Sequence, residues 1–149
     1  MFTPILLGSK SDTEHAEKIA EVLKEYGVRT EIIVASAHKV PEKVIKIIEE
    51  INASDEATVV MTVVGMSNGL GGVVAGSCVH PLINCPPFKD HDDYMVNIHS
   101  SLQMPSDVPV MTVLNYKNAA LCAVRILAEG DKDLMKKVKD RIAKVKEGY

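Results

Sequence analysis

The chain has 149 residues, 46% of them hydrophobic and 25% charged, enough for one buried core and too short for two ordinary domains. Seventeen Lys and Arg against twenty Asp and Glu leave a net charge of -3, without the basic excess that binding to nucleic-acid phosphates needs. The most apolar stretch, Ala57 to Met66, is about half the ~20 residues of a membrane-spanning helix, and Cys78, Cys85 and Cys122 form an odd set without a Cys-x-x-Cys pair, which argues against a disulfide framework or a structural zinc. A single cytoplasmic domain over residues 1–149 is expected, with neither nucleic acid nor membrane as partner.

Pro4 to Leu7 reads as a short apolar strand stopped at Gly8. Ala16, Ile19, Ala20 and Leu23 then recur at three- and four-residue spacing, which predicts a helix ended by Gly27. Thr30 to Ala35, rich in Ile and Val, predicts a second strand. Pro41 suits the first turn of a helix that continues through Val44, Ile45, Ile48 and Ile51. Thr58 to Val64 is almost wholly apolar, as a strand covered on both faces should be, and it runs into Gly65-Met66-Ser67-Asn68-Gly69-Leu70-Gly71-Gly72. A helix over Val73 to Cys78 and a strand over Leu82 to Cys85 follow, the latter stopped by Pro86-Pro87. A long polar connection with one helix leads to a fifth strand, Val108 to Leu114, and helices over Lys117 to Leu127 and Asp131 to Lys146 close the chain. Repeated strand-helix units predict an α/β fold: a three-layer, doubly wound parallel sheet of flavodoxin-like type, because parallel neighbours need right-handed crossovers.

Open parallel sheets bind ligands outside the carboxyl ends of their strands. Three polar clusters fall there: Gly8-Ser9-Lys10-Ser11-Asp12, Ser36-Ala37-His38-Lys39, and the glycine-rich loop. Each precedes a helix, whose first amides direct unpaired donors and the positive dipole end outward, so a phosphate is the natural guest. Ser11 or Asp12 would equally serve as a plain helix cap. The alternative gives the small Gly8 and the Ser9 and Ser11 hydroxyls to the ligand, with Asp12 accepting hydrogen bonds from sugar hydroxyls.

Histidine is the side chain suited to moving protons near neutral pH, and His38 sits on a turn among polar neighbours; a surface or hydrogen-bonded histidine is the competing reading. Lys39 would stabilise an anion, against the ordinary role of a solvated charge. His15, His80, His91 and His99 show no metal-ligand spacing, and no metal is expected. The glycine-rich loop matches neither the dinucleotide nor the Walker-type phosphate-loop pattern, which removes the usual grounds for NAD or ATP. Its glycines would allow a small ligand close to the backbone, or would pack a tight turn on the sheet.

Together these segments resemble the family of aminoimidazole ribonucleotide carboxylases and N-carboxyaminoimidazole ribonucleotide mutases of purine biosynthesis, along almost the whole chain. Gly8-Ser9-Lys10-Ser11-Asp12 resembles the family's phosphoribosyl loop and Ser36-Ala37-His38-Lys39 its catalytic turn. Ser100-Ser101-Leu102-Gln103-Met104-Pro105 resembles its substrate-covering segment, and Asn118-Ala119-Ala120-Leu121 a further signature. The mutase branch usually reads Ser-Ala-His-Arg and Gly-Ala-Ala-His-Leu-Pro-Gly, whereas this chain has Lys39, Gly69 where the loop histidine would stand, and Gly71 for the proline. Gly65-Met66-Ser67-Asn68-Gly69-Leu70 is similar to the direct-carboxylase branch instead.

The resemblance implies carboxylation of 5-aminoimidazole ribonucleotide by carbon dioxide to the 4-carboxy product, without ATP, biotin, metal or other cofactor, in a homo-oligomer of eight subunits. The alternative is the mutase reaction. On this reading His38 is the acid-base group. Lys39, Ser67, Asn68 and the loop backbone at Gly69 and Gly71 meet the carboxylate, while Gly8, Ser9, Ser11, Asp12 and Ser36 hold the phosphoribosyl part. A phosphorylatable receiver domain would need acidic residues where Gly8-Ser9 and Gly65 stand. A flavin carrier would want aromatic residues, of which there are two Phe, four Tyr and no Trp. A non-catalytic structural oligomer would not bind a ribonucleotide saturably.

Overall fold

The computed structural model describes residues 1–149. Its strands are β1 (Phe2–Leu7), β2 (Arg29–Val34), β3 (Val60–Val63), β4 (Leu82–Asn84) and β5 (Met111–Thr112). All are parallel, in the order β2-β1-β3-β4-β5. The helices are α1 (Thr13–Glu25), α2 (Pro41–Asn52), α3 (Gly69–Ser77), α4 (His91–Asn97), α5 (His99–Leu102), α6 (Tyr116–Ala128) and α7 (Lys132–Lys146), with a 3-10 turn over Lys10–Asp12 before α1. The doubly wound, flavodoxin-like fold read from the alternation is the one observed.

Two apolar cores sandwich the sheet, because the central strands are buried on both faces. All six residues of β1 and all four of β3 are buried. On one face Ile5, Leu7, Met61 and Ile83 pack with Ile19 and Leu23 of α1, Ala120 and Val124 of α6 and Leu134 of α7. On the other, Leu6, Val60 and Leu82 pack with Val44 and Ile48 of α2 and Leu70 and Val74 of α3. Burial of this apolar surface is the main driving force for the sandwich.

The differences from the sequence reading have local causes. The first strand starts at Phe2, since Phe2 and Thr3 stand in register with Arg29 and Thr30. The fifth strand is two residues long, because its neighbour β4 is only three long and the ladder reduces to Ile83 with Met111 and Asn84 with Thr112. The connection before it holds two helices, the first capped by Asp90, which accepts from the Asp93 amide at 2.8 Å. Helix α3 begins at Gly69, inside the segment read as loop, because the buried Asn68 caps it by accepting from the Gly71 amide at 2.9 Å. The three cysteines are free, and no helix is long and apolar enough to cross a membrane.

Candidate active site

The carboxyl ends of β1, β2, β3 and β4 open on a single cavity of about 490 Å³. Gly8, Ser9, Ser11 and Asp12 line it from β1, Ser36 and His38 from β2, and Gly65, Met66 and Ser67 from β3. Two of the three polar clusters thus reach it through side chains at the predicted positions, and the third reaches it through Gly65, Met66, Ser67 and Leu70.

On the β1 side the Ser9 and Ser11 hydroxyls lie within hydrogen-bond distance at 2.9 Å, and the Ser11 amide donates to Ser9 Oγ at 3.3 Å. Ser9 is therefore the cap of the 3-10 turn. Asp12 precedes α1 but makes no side-chain capping bond, and its carboxylate accepts from the Ser11 hydroxyl at 3.2 Å while lining the cavity. Partial burial raises its pKa, opposed by the Ser11 hydrogen bond and by the charge of His15. A carboxylate that is partly desolvated and not engaged in a cap is suited to accept hydroxyl protons from a ligand.

On the β2 side the Ser36 carbonyl accepts from the amides of Lys39 at 3.2 Å and Val40 at 2.9 Å. This closes the turn that presents His38 to the cavity. The imidazole lies over Gly69: a Cβ there would stand 2.6 Å from His38 Nε2, so only glycine admits the ring in this position. Ser67 adopts φ 33°, a left-handed conformation uncommon outside glycine, and it lines the same cavity.

Four expected site residues do not line the cavity. Lys39 follows His38 but is exposed outside the lining. The side chain of Asn68 is 4% exposed; Oδ1 accepts from the Gly71 amide and Nδ2 donates to Ser101 Oγ at 3.1 Å. Gly69 lies beneath His38. Gly71 is buried, and a Cβ there would meet both the Asn68 amide and Asn84 Oδ1 at 2.8 Å. These three residues build the wall from behind.

The sequence reading missed Pro87, Phe88, Lys89 and Asp93, which line the cavity beyond β4. Phe88 packs edge-on against Tyr94 at 5.3 Å. The Asp93 carboxylate accepts from the Lys89 amide at 2.9 Å and from Asn97 Nδ2 at 2.7 Å, which hold its pKa low. The signal was present, since the rule that selects the ends of β1, β2 and β3 applies equally after β4. Cys85, also near that end, lies 3.4 Å from His15 Nε2, but burial pushes its thiol up to about 12, which leaves it unreactive. No group of three or more His, Cys, Asp and Glu side chains is placed to hold a metal ion.

The segment from Ser100 docks on the glycine-rich loop: Ser100 Oγ accepts from the Asn68 amide at 3.1 Å. Ala119 and Ala120 are fully buried on α6, in the core shared with α1. That motif is a packing signature.

The AIR carboxylase family model matches residues 3–148. The chain is 45% identical to a bifunctional phosphoribosylaminoimidazole carboxylase/succinocarboxamide synthetase of Drosophila melanogaster over 85% of its own length, and it spans only 29% of that protein. It is 44% identical to a phosphoribosylaminoimidazole carboxylase of Treponema denticola, covering 91% of this chain and 84% of that one. It is 40% identical to an N5-carboxyaminoimidazole ribonucleotide mutase of Methanocaldococcus jannaschii, covering 95% and 88%. The crystal structure of Treponema denticola PurE superposes with a TM-score of 0.92 at 39% identity, over 99% of this chain and 92% of that one. Matched from end to end in sequence and in fold, the chain belongs to the AIR carboxylase family.

Proposed function

We propose that the protein carboxylates 5-aminoimidazole ribonucleotide with dissolved carbon dioxide, giving 4-carboxy-5-aminoimidazole ribonucleotide in purine biosynthesis. One observation carries the reading: a single cavity brings an acid-base histidine, His38, together with the hydroxyls and carboxylate of Ser9, Ser11 and Asp12. The aminoimidazole ring is an electron-rich enamine, so its ring carbon is itself the nucleophile toward carbon dioxide. A new carbon-carbon bond forms, and the proton left on the attacked carbon passes to His38 as aromaticity returns. Holding the two reactants in contact lowers much of the barrier.

Ser9, Ser11, Asp12 and Ser36, with the Gly8 backbone, hold the phosphoribosyl part. The developing carboxylate is met by Ser67 and the loop backbone, whose shape depends on Asn68, Gly69 and Gly71. Lys39, next to His38, contributes positive charge from outside the lining. No cofactor enters this scheme, because the ring carbon supplies the electron pair of the new carbon-carbon bond and gives up a proton in exchange, so no external oxidant or reductant is needed. The mutase reaction is the second reading, favoured by the similarity to the Methanocaldococcus protein.

The exposed Met95, Val96 and Leu102 of α4 and α5, with Met111 and Leu114 at the β5 edge, support a homo-oligomer. An octamer in the cytoplasm is the form that the family resemblance implies. The activity is tested by incubating the protein with aminoimidazole ribonucleotide and bicarbonate-equilibrated carbon dioxide. Saturable, enzyme-dependent formation of the 4-carboxy product is expected, and its absence refutes the proposal.

A further inference from the structure

We propose that Ser101, with Ser100 beside it, is a positioning residue for the reaction, acting on the cavity through Asn68; this rests on the carboxylation reading above. Neither serine lines the cavity. Asn68 stands between the two loop residues that matter most to it, Ser67 on the wall and Gly69 beneath His38, so whatever fixes Asn68 fixes both.

The hydrogen bonds around Asn68 determine its orientation. Its Oδ1 must face the Gly71 amide, a donor, at 2.9 Å; Nδ2 is then left pointing at α5, where Ser101 Oγ accepts it at 3.1 Å. Its main-chain amide donates to Ser100 Oγ at 3.1 Å. Asn68 and Ser101 are 4% and 2% exposed, so water cannot replace the partner that either would lose.

The serines are themselves anchored. The Ser100 hydroxyl donates to the Asn97 carbonyl at 2.8 Å, and the Ser101 carbonyl accepts from Thr112 Oγ1 of β5 at 3.3 Å. The covering segment thus ties the loop after β3 to α4 and to the edge strand. Ser67 departs from ordinary backbone geometry at φ 33°, and such a conformation persists only where its surroundings over-determine it. Without the Ser101 hydroxyl, Asn68 loses its tether, Ser67 relaxes, and Gly69 shifts under the His38 ring. The phosphoribosyl residues on β1 are untouched.

The test is Ser101→Ala in the full chain. Its kcat is expected to fall about tenfold, since small misplacements of reacting groups are costly. The KM for aminoimidazole ribonucleotide should stay within about twofold of wild type. Amide hydrogen exchange at Gly71 should quicken, and Ser101→Thr, which restores the hydroxyl, should recover most of the lost kcat. Val138→Ala, on the buried face of α7, is the comparison for lost stability and should melt lower with wild-type kcat.

Wild-type kcat in Ser101→Ala overturns the proposal, as does an equal kcat loss in a Val138→Ala protein with the same fall in melting temperature. If Ser101→Ala does not fold, the half-buried Ser100→Ala serves, with an expected kcat loss of about threefold; unchanged kcat there is equally fatal. If the wild type itself does not carboxylate, the proposed function fails. Gly71 exchange then decides the latch alone, quickened exchange in the variant upholding it and unchanged exchange overturning it.

Discussion

Asp12 stands at the first turn of α1 and its side chain caps nothing, a geometry that spacing cannot supply and that leaves its carboxylate free of the capping role. Its raised pKa, caused first by partial burial, means that the folded protein holds this proton to higher pH than the unfolded chain does. Its contribution to stability is then fully present below the ordinary carboxylate pKa and is lost as pH rises through the folded value. Asp12→Asn removes that loss. We expect it to melt at or slightly above the wild-type temperature near neutral pH, with the difference vanishing in acid, while KM for the ribonucleotide rises. Lowered stability with normal KM, measured on the same protein, would return Asp12 to a structural role. His38 is exposed on its turn and faces the same cavity. His38→Asn should keep the wild-type melting temperature and lose about 10²–10⁴ in kcat, the range for a removed acid-base group; activity within a few-fold of wild type would remove His38 from the chemistry.

At the scale of elements, α3 is the one whose start the sequence misreads. Gly69, Gly71 and Gly72 are poor helix formers, so a pattern reading leaves them in a loop, yet the buried Asn68 cap draws them into the first turn. Adding a methyl group at position 69 separates the two demands on this turn. Gly69→Ala favours the helix by up to about 1 kcal/mol on intrinsic propensity, but the methyl carbon would stand 2.6 Å from His38 Nε2. We expect a melting temperature no lower than wild type and a kcat loss of about 10- to 100-fold; undiminished kcat would show that the His38 position over Gly69 is unimportant. Elsewhere legibility follows length and periodicity. Helices α1, α2, α6 and α7 carry apolar faces over 12 to 15 residues and were readable. In contrast, β5 has two residues and α5 four, too few for any period. Phe88 and Lys89 have no periodicity of their own either, and only the strand-end rule, applied after β4 as after β1, β2 and β3, points to them.

At the scale of the molecule, the strand order β2-β1-β3-β4-β5 brings four strand ends to one opening, and the alternation of strand and helix was sufficient to predict that opening. That prediction covers the ends of β1, β2 and β3 and leaves out the wall beyond β4, and the alternation cannot distinguish the family's two reactions, which depend on how the reactant enters. A mutase must accept a substrate already carboxylated on its exocyclic nitrogen and retain the released carbon dioxide in a closed site. A carboxylase must admit carbon dioxide from solution. Where the mutase loop has a histidine, this chain has Gly69, and the space is filled by the ring of His38. On the proposed function a single imidazole, His38, serves the reaction, which suits one proton removal after addition of free carbon dioxide. Specificity should follow from the reactant that the pocket accommodates. With N-carboxyaminoimidazole ribonucleotide supplied while free carbon dioxide is continuously stripped, we expect product to form no faster than that compound decays to aminoimidazole ribonucleotide, and to fall away as stripping becomes complete. Rapid stoichiometric conversion under stripping would instead assign the mutase reaction, with the cavity and the role of His38 unchanged.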